Sequence, residues 1–480
     1  MLSKNLLSVA MSSFLGVISI PAQTALTIYN DDFAVVRDEV PLTLVPGSQE
    51  ASYSGVTSQL EPESVVLRDR NGVVPFRILE QSYRGDPINQ ERLLQLFEGE
   101  TISFLQQFGD NVNLIEGKIV RAPTQSSSGY LEPIIEVDGE LIMQLPGQPR
   151  FPSLGDESIL QPTLTWMIYS AQEATIDAEL SYLTRGLSWK SDYNLILPEN
   201  GDEVAMTGWV SLSNRSGKVF KDTQVKLIAG NVNKLEKQDT SRVQQMAMLS
   251  RSSGLAEPEQ VEERKFDEFH LYTLPGTINL RDQETKQVEF VRSDPVLTKK
   301  IYIYDGSSLN RSWRSMGVNP NPGYGQNSTD KVEIYREFKN SEDNNLGIAL
   351  PAGIVRFYRT DIDGQIEFIG ENQIDHTPKN ETVRLYLGNA FDLVGERKIT
   401  KFFKHPSLDF IRESFEIEIR NRSEEVVEVQ VVENLYRSMN WEITVKSSDY
   451  EEIDARTVTF PLEIPAEETR TLTYTVEYTW

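Results

Sequence analysis

Thr175-Ile176-Asp177-Ala178-Glu179-Leu180-Ser181-Tyr182 puts Ile176, Ala178, Leu180 and Tyr182 on one face and polar residues on the other. A period of two marks a β-strand with one buried face, whereas a helix would space its apolar residues by three and four. The same alternation runs outward. Residues 203–212 set Val204, Met206, Gly208, Val210 and Leu212 together, and Val225-Lys226-Leu227-Ile228-Ala229 follows. Upstream, Leu26-Thr27-Ile28-Tyr29 and Phe33-Ala34-Val35-Val36-Arg37 flank the turn cluster Asn30-Asp31-Asp32. The runs 64–68 and 73–77 flank Asp69-Arg70-Asn71-Gly72, which reads as a second hairpin with Asn-Gly in its turn. Downstream, 357–359 and 366–368 flank Asp361-Ile362-Asp363-Gly364, and 415–419 and 427–431 flank Asn421-Arg422-Ser423-Glu424-Glu425. The spacing predicts one helix, over 88–97, with Pro87 to start it and Gly99 to end it. The expected fold is all-β: tandem antiparallel β-sandwich domains, one short helix in the N-terminal domain and long polar loops.

A chain of 480 residues exceeds one hydrophobic core. The expected divisions are a signal peptide over 1–22, a β-rich domain over 26–160, a second β-sandwich region over 161–410 and an immunoglobulin-like sandwich over 411–480. A stretch over 234–265, rich in Gln, Ser, Arg and Glu, reads as a polar linker inside the second region. Lys4 is the only charge before Asp31, an apolar stretch runs over 6–20, and Pro21-Ala22-Gln23-Thr24-Ala25 supplies small residues for cleavage after Ala22 or Ala25. That pattern is a cleaved secretory signal, which places the protein in the periplasm or outside the cell. No later segment is apolar enough for a transmembrane helix. The aromatic alternation ending at Trp480 brings an outer-membrane barrel to mind, but the other strands are too short and too charged for one.

The absence of cysteine excludes disulfides, thiolate metal sites and cysteine nucleophiles. With 47 basic and 72 acidic residues the net charge is −25, which repels nucleic acid. No cofactor is expected. The histidines are His270, His376 and His405, and no two lie close enough for a His-pair zinc motif. Asp375-His376 beside Thr377 is the best seed of a hydrolytic triad, yet neighbours on a strand point to opposite faces, so Asp375 is badly placed to orient His376. Asp361 and Asp363 resemble the start of a calcium loop. Asn372, at its twelfth position, cannot supply the bidentate carboxylate, and a hairpin turn explains the same residues. Candidate ligand-binding aromatics are Trp189 and Tyr193 on one strand face, Trp209 on the next strand, and Trp313 and Tyr324 on the Asn-, Gly- and Pro-rich loop 310–330. Sequons at Asn214, Asn310, Asn327, Asn380 and Asn421 are no more than chance supplies.

Four blocks carry a family resemblance. They are Ser181-Tyr182-Leu183-Thr184-Arg185-Gly186-Leu187-Ser188-Trp189-Lys190-Ser191-Asp192-Tyr193, Ser213-Asn214-Arg215-Ser216-Gly217, Phe269-His270-Leu271-Tyr272-Thr273-Leu274-Pro275-Gly276 and Arg384-Leu385-Tyr386-Leu387-Gly388-Asn389-Ala390-Phe391-Asp392-Leu393. Together they resemble, over roughly 165–480, the uncharacterised exported bacterial proteins of the DUF4139 domain family, related to a mucoidy-inhibitor group. The resemblance implies an exported all-β module and gives no catalytic residues to carry over. Larger members have an N-terminal coiled coil, for which this chain has no heptads. Within the last block Gly388-Asn389-Ala390-Phe391-Asp392 reads as a tight turn, with Asn389 and Asp392 as further binding candidates. The functional expectation is a non-enzymatic binding or cell-envelope protein whose partner is an envelope protein or polysaccharide. The rivals are an acidic-site hydrolase, glycosidase-like, and a calcium-dependent adhesin.

Overall fold

The computed structural model describes residues 24–85, 89–108, 111–126, 129–153, 159–230, 262–266, 269–307 and 318–480, with the single positions 232, 234 and 309. The expected signal peptide over 1–22, most of the polar linker, and Trp313 lie outside the described residues. The chain forms two compact units.

The first unit comprises Met1–Ser188, Ser213–Leu227 and Gly276–Thr285. Ala25–Tyr29 and Phe33–Leu44 form the expected antiparallel hairpin, which turns through Asp32 at φ 35°. Phe33–Leu44 pairs along its length with Ala174–Arg185, and Val66–Asp69 lies on the other side of that strand. The alternation read around residue 180 follows from this: Ala178, Leu180 and Tyr182 are buried between neighbours. The one α-helix among the described residues is Gln90–Leu96, capped by Asn89, whose side chain accepts from Arg92 N at 2.8 Å. Its Leu94 packs into a small core of Ile102, Phe104, Ile119, Ala122 and Ile135 on a five-stranded sheet.

The second expected hairpin forms its turn but not its ladder. Asp69 accepts from Asn71 N at 3.0 Å, Val73 N at 2.7 Å and Val74 N at 2.9 Å. These bonds, that from Val74 foremost, hold its carboxyl below the usual range. They also consume N–H groups a hairpin would need, and the arms part: Val66–Asp69 pairs with Ala174–Arg185, and Phe76–Arg84 with Thr163–Ser170.

The second unit comprises Trp189–Leu212, Ile228–Pro275 and Lys286–Trp480. One of its sheets runs Glu284–Leu297, Glu203–Asn214, Leu187–Leu197, Gly353–Thr360, Ile366–Ile374. Its other sheet has nine strands, in the order Asn440–Lys446, Thr469–Thr479, Phe410–Asn421, Thr382–Lys404, Lys331–Lys339, Lys299–Asp305, Val427–Asn434, Thr457–Ile464, Glu451–Asp454. Strands far apart in that order meet inside: Phe460 and Tyr474 have ring centroids 5.5 Å apart, so the sheet folds over on itself around one core. The stretch from Ile411 onward therefore shares its sheet with strands that begin at Lys299. Leu187–Leu197 pairs in parallel with Gly353–Thr360, and Lys299–Asp305 with Val427–Asn434, which makes the all-β fold mixed rather than purely antiparallel.

The Asp361–Gly364 hairpin forms as expected. The hairpin expected around residues 421–425 does not. Its arms are separated in the sheet by three strands, and the turn instead carries the chain across the sandwich. Asn421 accounts for this, since its Nδ2 donates to Glu425 O, Ile464 O and Pro465 O at 2.7, 3.2 and 3.1 Å and so replaces a ladder.

Candidate functional site

Within the second unit, the segment Ala349-Leu350-Pro351-Ala352 is gripped by side chains at nearly every peptide. Tyr272 donates to Ala349 O at 2.9 Å, Tyr193 to Pro351 O at 2.7 Å and Ser191 to Ala352 O at 2.8 Å. Glu263 accepts from Ala349 N at 3.0 Å, and His376 Nδ1 accepts from Ala352 N at 3.2 Å. Burial pushes both tyrosines well above the ordinary phenol range, so their hydroxyls remain donors. Beneath them Trp189 meets Tyr272 edge-on at 6.4 Å and donates to Ile228 O, while Tyr193 meets Phe290 at 5.7 Å. Trp189 and Tyr193 are thus buried on one strand face. Trp209 is half-buried on the face of its strand opposite Val210.

This clamp favours opposite tautomers in the neutral forms of two imidazoles. A carboxylate only accepts, so His270 Nδ1, 2.9 Å from Glu263, carries a proton, and in the neutral ring Nε2 is the acceptor. A peptide N–H only donates, so Nδ1 of neutral His376 is bare and Nε2 carries the proton. Burial lowers the His376 pKa, Asp375 opposes that and His270 adds to it. Protonation of His376 would cost it the Ala352 bond. His376 stands out in the sequence as a triad seed, whereas Glu263 and its pairing with His270 do not. The missing signal was the pairing of Glu262–Phe266 with Phe269–Thr273, which sets Lys265 opposite His270 and Glu263 diagonal to it, at the end of a stretch that reads as linker.

A second cluster lies in the nine-stranded sandwich. Arg397 and Glu433 are almost fully buried at 2.9 Å, as are Arg437 and Glu413 at 2.7 Å. Burial works against the charge on Arg397, and Glu433 with Tyr474 and Tyr436 together outweighs it, so the guanidinium stays protonated. Removing one partner of such a pair typically costs ~3–5 kcal/mol because the other is left charged in the core. The remaining guanidinium protons hold a loop: Arg397 donates to Gly325 O, and Arg437 to Asn319 O, Asn321 O and Tyr324 O. Tyr324 packs edge-on against Tyr436 at 5.5 Å, with the Arg437 guanidinium 5.8 Å from its ring. Its neighbourhood is one of loop anchoring.

Asn389 and Asp392 lie three residues apart in one strand, not in a tight turn. Thr382–Lys404 is a continuous strand. Its partner strand pairs Glu333 with Asn389 and Lys331 with Val394, so residues 390–393 face Val332 alone as a wide bulge. The bulge leaves Asn389 and Asp392 exposed and turns Phe391 outward at 96% exposure. Beside it opens a shallow cavity of about 630 Å³ lined by Ser328, Thr329, Asp330, Gly395, Glu396 and Arg420.

Asp361 and Asp363 lie in an exposed hairpin turn, and both Asp363 oxygens accept from Gln365, at 2.9 Å each. Among the described residues no three His, Asp or Glu side chains gather to hold a metal ion, and no helix is long and apolar enough to cross a membrane.

The fold is that of an all-β protein with several sheets, antiparallel and mixed. The chain matches the family described as a domain of unknown function, DUF4139, over residues 178–480, more than half its length, and belongs to that family. No curated protein and no solved structure matches it. All four blocks that carried the resemblance fall inside the matched region.

Proposed function

We propose that this chain is an exported protein of the cell envelope that works by binding, with an envelope protein or a polysaccharide as its partner. The observation that carries this reading is the bulge, which presents Phe391 to solvent between Asn389 and Asp392. A fully exposed phenylalanine flanked by uncommitted polar side chains suits contact with a partner. The buried acids and bases, by contrast, are engaged with one another and with backbone. Export rests on Lys4, the apolar stretch 6–20 and the small residues through Ala25. The test is fractionation with intact-mass measurement, together with a panel of ester, peptide and glycoside substrates. Recovery outside the cytoplasm, trimmed after Ala22 or Ala25 and without turnover, is the expected result. A full-length cytoplasmic chain would remove the export half.

A second reading is hydrolytic, and one observation favours it: Glu263 joins His270 to the Ala349–Ala352 segment, which also bonds His376, so the neutral rings would offer a base at His270 Nε2 and an acid at His376 Nε2–H. Turnover abolished by both His270→Ala and His376→Ala would put this reading in place of the first.

A further inference from the structure

We infer that the bulge and the cavity beside it form one recognition surface for an uncharged polysaccharide. The inference rests on the binding reading and names its ligand class. The two features adjoin along the strand. Val394 pairs with Lys331 on one side and Arg420 on the other, Gly395 N donates to Asp330 O at 3.0 Å, and Arg422 N donates to Asp392 O at 2.8 Å. From Asp392 to Glu396 a strand covers about 13 Å, enough for more than one sugar ring.

The chemistry of the surface selects the ligand. Phe391 offers a flat apolar face of the kind that packs against the C–H side of a pyranose. Asn389 and Asp392 flank it in the strand, and Ser328, Asp330 and Glu396 line the cavity, supplying donors and acceptors suited to hydroxyl groups. The cations at the cavity are already matched: Arg420 by Glu418 at 2.6 Å and Glu396 at 3.1 Å, Lys398 by Glu396 at 2.7 Å and Lys331 by Asp330 at 3.6 Å. No cation of that wall is left for a uronate or phosphate, and the net charge of −25 repels anionic polymers further.

Affinity electrophoresis of the full chain through gels containing dextran, galactomannan, mixed-linkage glucan or polygalacturonate tests the inference. At least one neutral polymer should retard the protein, and Phe391→Ala should weaken that retardation about tenfold. Asn389→Ala with Asp392→Ala should weaken it severalfold, while Phe368→Ala, on another sheet, should leave it unchanged. Phe391→Ala should melt with the wild type, since its ring is almost wholly in solvent. No retardation by any neutral polymer, retardation indifferent to Phe391, or tighter binding of polygalacturonate would each overturn the inference. Indifference to Phe391 would leave the binding reading standing, whereas hydrolysis of a polymer would remove that reading itself.

Discussion

Asn214-Arg215-Ser216 in the first unit and Asn421-Arg422-Ser423 in the second end their strands in the same way. Asn214 Nδ2 donates to Lys218 O at 2.8 Å, Arg281 O at 3.0 Å and, more weakly, Leu280 O at 3.5 Å, matching the Asn421 set of Glu425, Pro465 and Ile464 carbonyls. Each asparagine oxygen accepts from the serine two residues on, through both its N–H and its hydroxyl. The corners differ one residue later. Gly217 takes φ +79°, and a Cβ there would strike the Ser58 hydroxyl, while Ser58 N and Gln59 Nε2 bond the carbonyls of Ser216 and Arg215. Glu424, in the equivalent place, is exposed and outside the left-handed region. The Asn–Ser pair therefore makes the corner, and the residue after it records what lies on top.

Substitutions can break or sharpen that equivalence. Asn421→Ala and Asn214→Ala should each cost ~3 kcal/mol, because several buried carbonyls lose their donor at once. Calorimetry should show the loss in the second unit for the former and in the first for the latter; a cost in one below half that in the other would end the comparison. Gly217→Glu, which copies Glu424, should cost ~2 kcal/mol through its left-handed backbone and the Ser58 clash, measured by urea unfolding. Ser216→Ala and Ser423→Ala should cost ~1 kcal/mol each by the same assay. Glu424→Gly should stay within about 0.5 kcal/mol of wild type. A larger loss there would mean that something covers the second corner too.

These corners also mark what the sequence conceals. The two Asn-Arg-Ser triplets look like chance sequons, and only the carbonyls of distant segments, near residues 280 and 464, reveal their task. The strands themselves were legible, because alternation at period two survives in Ala178, Leu180 and Tyr182. So was the helix, expected over 88–97 and found at Gln90–Leu96, although its Asn89 cap was not read. Strand partners were less so: a turn signal at Asp69 or Asn421 says that the chain bends, not which strand it joins next. Of the site, Asn389 and Asp392 could be picked from their block, but a bulge depends on the register of a partner some sixty residues away. Glu413 could have been found: it occupies the inward parity of Ile411, Phe415 and Ile417, where a carboxylate needs a buried counter-ion. Its partner Arg437 lies on another segment, which no periodicity indicates.

The nine-stranded sheet begins and ends with strands that follow one another in the chain, Asn440–Lys446 and Glu451–Asp454, joined by residues 447–450. That link is a seam. A protease that nicked it would cut no sheet ladder, and each new end would stay zipped to an inner neighbour, Thr469–Thr479 on one side and Thr457–Ile464 on the other. For a chain with no cysteine to rejoin severed pieces, a cleavable loop at this place is one whose cutting leaves the architecture standing.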